Sequence, residues 1–547
     1  MATRSNLARA DIGKRTPALY DRIRTTIETA FYRNNVTLVT NISHAYRLAK
    51  EAPGTIVTDL PVHRARELDL PEDARVLLFN DGTITGRQAK ARRLINMTNE
   101  QDYANLLREA LFASNRKKMY HGIAYLGLHE DFIVRAHLLI PEGYENTLYS
   151  WMLNFQHPNG AIEAMYERSR AINEGDLYLY SDPDLFLPGH DEGLSLFDHK
   201  HNVGALFGLR YFGEHKKATL TMGWSVASRC NFTACHGGQK RFVRDDGSTF
   251  IAGVFGLSGS GKSTITHAKH GGRYDITVLH DDAFIISNED GSSVSLEPSY
   301  FDKVQDYPTS CPDNEFLLTM QNVGATLDDQ GKVVPVTEDI VAGNGRALKS
   351  KFWTPDRAYK FDNKVNAIFW IMKDETLPPL LKVDSSVLAA TLGATLATKR
   401  SSAEHGAVTT KLVIEPYANP FRLYPLRNDY KKFKDLFENH GVQCYVLNTG
   451  FFLDSNITPQ VTLSLIEQIV DGTLGFESFA DVPDVSYAPV NGYQPDFEDK
   501  DYLSLFVERM MSRIHFIDHL YSNDALPKEA AQALHSLIEH IQQRMPV

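Results

Sequence analysis

Apolar positions along the chain fall into two textures. In residues 16–33 (TPALYDRIRTTIETAFYR) they recur at helical spacing after a Thr-Pro start, which predicts a helix, and residues 36–49 read as a strand running into a second helix. From about residue 250 the pattern becomes strand, glycine loop, helix: TFIAGVFG, LSGSGKS, TITHAKH, then the apolar run ITVLHDD. The runs at 367–372 (AIFWIM) and 442–450 (VQCYVLNTG) predict buried strands, and 461–471 and 526–543 predict amphipathic helices. The expected architecture is α/β, with an N-terminal α/β substrate-side domain over 1–235 and a C-terminal P-loop nucleotide-binding domain over 236–547.

Composition narrows the class. A chain of 547 residues with 43% hydrophobic and 23% charged side chains is neither disordered nor fibrous. The net charge of −11 gives no overall positive field for nucleic acid or an anionic membrane, so an anionic ligand must be held by local basic clusters. No apolar run reaches the roughly 18–20 residues that span a bilayer, and the N-terminal segment lacks a signal-peptide stretch. The expected compartment is the cytoplasm, with small-molecule partners and neither nucleic acid nor membrane; the oligomeric state stays open. Four cysteines, at 230, 235, 311 and 444, are expected as reduced thiols. Cys230, Cys235 and His236 offer part of a zinc set, but no second Cys/His pair at matching spacing completes it.

The sharpest signal is Gly256-Leu257-Ser258-Gly259-Ser260-Gly261-Lys262-Ser263, a full G-x-x-x-x-G-K-[ST] motif between an apolar strand and a helix that Thr264 continues. Glycines let backbone N–H groups turn toward phosphate oxygens, Lys262 reaches the β- and γ-phosphates, and Ser263 offers a hydroxyl to a divalent metal. Asp281 and Asp282 follow a strand about twenty residues later, where a carboxylate can hold Mg2+ directly or through water.

Upstream, Tyr211-Phe-Gly-Glu-His-Lys216-Lys217 precedes His236, the loop and Asp281-Asp282 in one ordered set. That set resembles the ATP-dependent phosphoenolpyruvate carboxykinase family. Thr85-Gly86-Arg87, the Glu297 and Lys303 spacing, Leu377-Pro378-Pro379 and Asn448-Thr449-Gly450 extend the resemblance in islands from about 77 to 472. The resemblance implies a two-lobed fold of that family, with ATP, Mg2+ and Mn2+ as cofactors. It further implies that Lys217, His236 and Asp282 ligate a manganese-type ion while Ser263 serves the ATP-bound ion. Arg87 would clamp a substrate carboxylate, Tyr211 would hold substrate or CO2, and Lys303 would join Lys262 at the transferring phosphoryl group. Glu297 would support the nucleotide-binding residues, which Thr449 joins. A lysine that ligates a metal must be neutral, which the cation, the neighbouring Lys216 and desolvation would favour.

The pattern departs from the family in three places. Where the family carries Thr-Glu-Arg-Gly, this chain has Ala403-Glu404-His405-Gly406; His405 can donate a hydrogen bond but lacks the guanidinium fork, and Arg400 stands five residues earlier. After Asn448-Thr449-Gly450 the family arginine is replaced by a stretch with Phe451, Phe452 and Asn456, whose aromatics could stack a base. The segment GGQKRFVRDDGST before the phosphate loop is longer than the family pattern. The expected function is an ATP-dependent carboxykinase converting oxaloacetate and ATP to phosphoenolpyruvate, CO2 and ADP. The alternatives are a kinase of the same fold with another small-molecule or protein acceptor, and a nucleotide-binding regulator without turnover.

Overall fold

The computed structural model describes residues 21–80, 91–257, 259–304, 309, 311–338, 344–399 and 411–545. Its contacts divide the chain into two mixed α/β units. Among the described residues, one is formed by the chain from Asp21 to Val226 together with Leu296–Pro355, the other by Ala227–Ser295, Asp356–Lys399 and the chain from Lys411.

In the first unit, the N-terminal helical pattern takes the form of a helix over Arg22–Ala30, opened by Asp21, whose side chain accepts the Arg24 N–H at 2.8 Å. The following pattern resolves into a strand, Val36–Val39, and a helix, Ile42–Glu51, with Asn41 as its cap. That strand is the edge of a seven-stranded sheet, followed in space by Met119–His129, Phe132–Pro141, Leu177–Asp182, Val203–Phe207, Leu194–Asp198 and Arg92–Leu94. Ile23 and Ile27 of the first helix pack with Leu107 and Leu111 of the Glu100–Ala113 helix against Leu139, Tyr180 and Ala205 of this sheet. A five-stranded sheet joins Tyr300–Lys303, Arg346–Lys349 and Leu317–Gln321 to Arg75–Phe79 and Ile56–Pro61. The 296–355 segment therefore supplies three of its strands.

The second unit is built on an eight-stranded sheet whose inner strands Thr249–Phe255, Ala367–Met372 and Gln443–Asn448 run parallel. Successive side chains point to opposite faces, and both faces are covered. Ile251, Phe255, Ile368, Trp370 and Met372 enter one core, and Ala252, Val254, Phe369 and Ile371 enter the other. Burial on both sides is why these strands read as continuous apolar runs rather than alternating ones. The Pro459–Asp471 helix lays Leu465, Ile466 and Ile469 on the second core, while the Lys500–Asp518 and Lys528–Arg544 helices cover the first. The parallel register brings the residues that follow the three strands, Gly256, Lys373 and Thr449, to the same carboxyl end of the sheet.

No helix among the described residues is long and apolar enough to cross a membrane. All four cysteines are free thiols. Burial pushes the Cys235 and Cys444 thiols up, so both behave as inert core residues.

Candidate active site

At the carboxyl end of Thr249–Phe255 the chain turns sharply into a short helix, Lys262–His267. Glycine is required at both ends of the turn. A Cβ on Gly256 would lie 2.3 Å from Ser260 Oγ and 3.0 Å from Ile371 Cβ, and Gly261, at φ +96°, adopts a left-handed conformation as the helix cap. Two side chains from the neighbouring parallel strands fasten the loop. Thr449 Oγ1 donates to the Ser260 carbonyl at 2.8 Å, and Lys373 Nζ donates to the Gly259 carbonyl at 2.8 Å. The Ser260 hydroxyl is buried and has no hydrogen-bond partner among the described residues.

Lys262, nearly buried, places Nζ 3.4 Å from Asp282 Oδ1. The same oxygen lies 3.1 Å from His236 Nε2. The other imidazole nitrogen, Nδ1, sits 2.5 Å from the Ala418 carbonyl, so it carries the proton and donates. That bond fixes the tautomer and leaves Nε2 to meet a proton or a cation shared with Asp282. The segment that presents the carbonyl is itself unusual: Tyr417 and Ala418 both have left-handed backbones, at φ 54° and 52°. It is held there by Tyr417, whose ring stacks on Phe433 at 4.5 Å and whose hydroxyl donates to the Ala390 carbonyl at 2.9 Å.

The two adjacent carboxylates have different partners. Asp281 Oδ2 lies 3.2 Å from His267 Nε2, at the end of the short helix. Burial opposes ionisation of Asp281, but the pairing with His267 and the charge of Lys262 hold its carboxyl below the usual range. His280 Nδ1 accepts the Asp282 N–H at 3.0 Å, which orients the turn between the two. Asp281 thus anchors the helix, while Asp282 faces Lys262 and His236.

The first unit gathers a second group. Tyr211, at the start of the Phe212–Arg229 helix, and Lys216 on that helix both approach the Phe301 ring, at 6.1 and 5.6 Å. Glu297 pairs with Lys216 at 3.2 Å, both wholly buried, and accepts the Asn154 amide at 2.5 Å. Lys217 follows Lys216 on the same helix and is half-buried. Lys303 ends the Tyr300–Lys303 strand, two residues beyond Phe301. Arg87, Ser258, Arg400 and His405 lie outside the described residues.

Lys373 escaped the sequence reading, although it fastens the loop. No motif contains it; its signal is positional, since it follows the AIFWIM strand, and in parallel α/β sheets ligands bind beyond the carboxyl ends of the strands. Ala418 escaped as well, because nothing in its sequence context announces that its carbonyl meets a histidine 182 residues away.

The family profile described as Phosphoenolpyruvate carboxykinase matches residues 75–488 of this chain. A curated relative, Phosphoenolpyruvate carboxykinase (ATP) of Aeropyrum pernix, is 27% identical over 326 residues, 57% of this chain. The similarity spans 65% of the relative's own length, just under two thirds. The family match takes in the glycine loop and its flanking strands, and with more than half of its length matched the chain belongs to the phosphoenolpyruvate carboxykinase family.

Proposed function

We propose that this chain is an ATP-dependent phosphoenolpyruvate carboxykinase, with the second unit as its nucleotide-binding half. The observation that carries the reading is the meeting of Lys262, Asp282 and His236 beside a glycine loop, in a member of this family. In this reading the loop residues Gly256–Ser263 and Thr264 hold the triphosphate of ATP. Lys262 and Lys303 neutralise charge on the transferring phosphoryl group, and Ser263 and Asp281 serve the Mg2+ that accompanies the nucleotide. Glu297 and Thr449 act behind these residues, Glu297 through Lys216 and Thr449 through the Ser260 carbonyl.

The donor set fits a divalent cation: a histidine whose Nδ1 is tied to a carbonyl, leaving Nε2 directed at a carboxylate oxygen, is a ligand pair with its supporting bond in place. His236 and Asp282 would hold the ion, with Lys217 as a third ligand on the family resemblance. When bound, such a cation polarises substrate and phosphate oxygens as a Lewis acid. Arg87 would grip a carboxylate of oxaloacetate, and Tyr211 would position it. Loss of CO2 breaks a C–C bond and leaves its electron pair as an enolate. The enolate oxygen then forms a bond to the γ-phosphorus as the bond to ADP breaks, giving phosphoenolpyruvate. His405 would donate a hydrogen bond to the phosphate.

The test is an assay of purified protein with oxaloacetate, ATP, Mg2+ and Mn2+, following phosphoenolpyruvate and ADP together. Equal amounts of both support the reading. The histidine at 405, in place of the family arginine, favours a second reading in which the same site serves a different acceptor. Nucleotide turnover with another acceptor and no phosphoenolpyruvate selects that one.

A further inference from the structure

The carboxyl end of the parallel sheet carries positive charge that the family motifs do not include. Lys373 follows the Ala367–Met372 strand and reaches the glycine loop, with Nζ 2.8 Å from the Gly259 carbonyl. Its backbone N–H donates to the Ala397 carbonyl at 3.2 Å, which puts it beside the Ala397–Lys399 strand. Burial lowers the affinity of Lys373 for its proton, and the charge of Lys399 lowers it further.

The carboxylates next to Lys373 in sequence are committed elsewhere. Asp374 pairs with Arg513 at 3.1 Å, and Glu375 pairs with Arg509 at 2.5 Å. Lys373 is therefore held where the glycine loop closes, on the side of the strand that Lys399 ends, and its ammonium donates to a neutral carbonyl of that loop. Bringing like charges together in a partly desolvated place costs free energy unless an anion lies between them. The loop beneath them has the sequence and the glycine conformations of a polyphosphate cradle.

We propose that Lys373, supported by the charge of Lys399, is a phosphate-binding residue of this chain that contacts the polyphosphate of a nucleoside triphosphate seated in the 256–263 loop. This rests on the nucleotide-binding reading above and adds to it a cation that no motif supplies. It also offers a local source for positive charge in a chain whose segment at 403–406 carries histidine instead of arginine.

The experiment is calorimetric titration of ATP, ADP and AMP into the full chain and its Lys373→Gln, Lys373→Arg and Lys399→Gln variants. Glutamine keeps a donor for the Gly259 carbonyl and removes the charge, so it separates phosphate contact from loop support. ATP affinity should fall about tenfold or more in Lys373→Gln, ADP less and AMP little, with Lys373→Arg close to wild type. Lys399→Gln should show the same order across nucleotides with a smaller loss, and the loss should shrink as salt is raised. Unchanged ATP affinity in Lys373→Gln overturns the proposal, and so does an equal loss for all three nucleotides, which marks a bond that only shapes the loop. If the wild-type chain binds none of the three, it is the nucleotide reading that falls. That outcome is distinct from wild-type binding that Lys373→Gln leaves intact.

Discussion

Arg513 and Asp374 form an ion pair sealed from solvent, with Nη2 and Oδ2 3.1 Å apart and each side chain 1% exposed. Asp374 Oδ1 also accepts the Thr376 hydroxyl at 2.8 Å, and Arg513 donates to the Thr395 carbonyl. Arg513 lies on the Lys500–Asp518 helix, beyond the 488 limit of the family match, whereas Asp374 lies one residue after the lysine that fastens the glycine loop. The Lys500–Asp518 helix is thus part of the second unit's scaffold around the loop. Tyr502 of the same helix donates to the Thr376 carbonyl at 3.0 Å, and the Asn448 amide holds the same turn through the Asp374 and Leu377 carbonyls.

Removing one member of such a pair leaves the other charged and buried. Arg513→Met should destabilise the second unit by about 3–5 kcal/mol, whereas Arg513→Met combined with Asp374→Leu should recover much of that loss. Urea unfolding of the two variants measures the difference. If the double variant is as unstable as the sum of the single ones, the pair is not the source of the cost.

Lys262→Ala should lower nucleotide-dependent turnover by two or more orders of magnitude, as an order-of-magnitude expectation for a lost phosphate-loop cation, with stability changed by about 1 kcal/mol or less. The side chain reaches Asp282 and no apolar core, so little folding energy depends on it. Thermal unfolding and steady-state kinetics on the same preparation separate the two effects. Wild-type turnover in this variant would remove the loop from the mechanism.

His236→Gln and Asp282→Asn should each weaken Mn2+ binding, and the double variant should lose little more than either one, because the two donors face one place. Water-proton relaxation in the presence of Mn2+ reads the affinity without any turnover. Losses that add fully would mean two independent sites.

Much of this was legible in the sequence, and the reason differs from element to element. The Thr249–Phe255, Ala367–Met372 and Gln443–Asn448 strands announce themselves because burial on both faces forces uninterrupted apolar runs, and the helices at Pro459–Asp471 and Lys528–Arg544 because each buries a single face. The loop was legible because glycine is needed where a Cβ would strike Ser260. The return of 296–355 to the first unit was not, since strand pairing between residues far apart leaves no local periodicity; Thr319 pairs with Leu77. The same limit hid Lys373 and Arg513, whose roles depend on which strand ends and helix faces meet. The Asp281-Asp282 pair shows the limit at one residue's resolution: the sequence marks two carboxylates beside a strand, and only packing decides that one goes to His267 and the other to Lys262 and His236.

Asp429, on the Leu426–Asn439 helix, is buried; its Oδ1 accepts the Tyr424 hydroxyl at 2.8 Å, and its Oδ2 has no hydrogen-bond partner among the described residues. Burial pushes its carboxyl from 3.8 up to about 6, against the opposing pull of Arg422, the Tyr424 bond and Lys432. A carboxyl whose folded value is raised contributes stability that is full below its unfolded value and is lost as pH rises through the folded one. For Asp429 the window runs from 3.8 to about 6. At neutral pH the buried charge costs about 2–3 kcal/mol relative to acid. Asp429→Asn keeps an acceptor for the Tyr424 hydroxyl and cannot ionise. It should therefore match wild type most closely near the acid end of that window and exceed it by about 2 kcal/mol above neutrality, with most of the divergence arising below about pH 7. Denaturant unfolding of both proteins across this range is the measurement. Parallel stability curves would show that Asp429 keeps an ordinary carboxylate's titration inside the fold, and would place the pH dependence of the second unit in other groups.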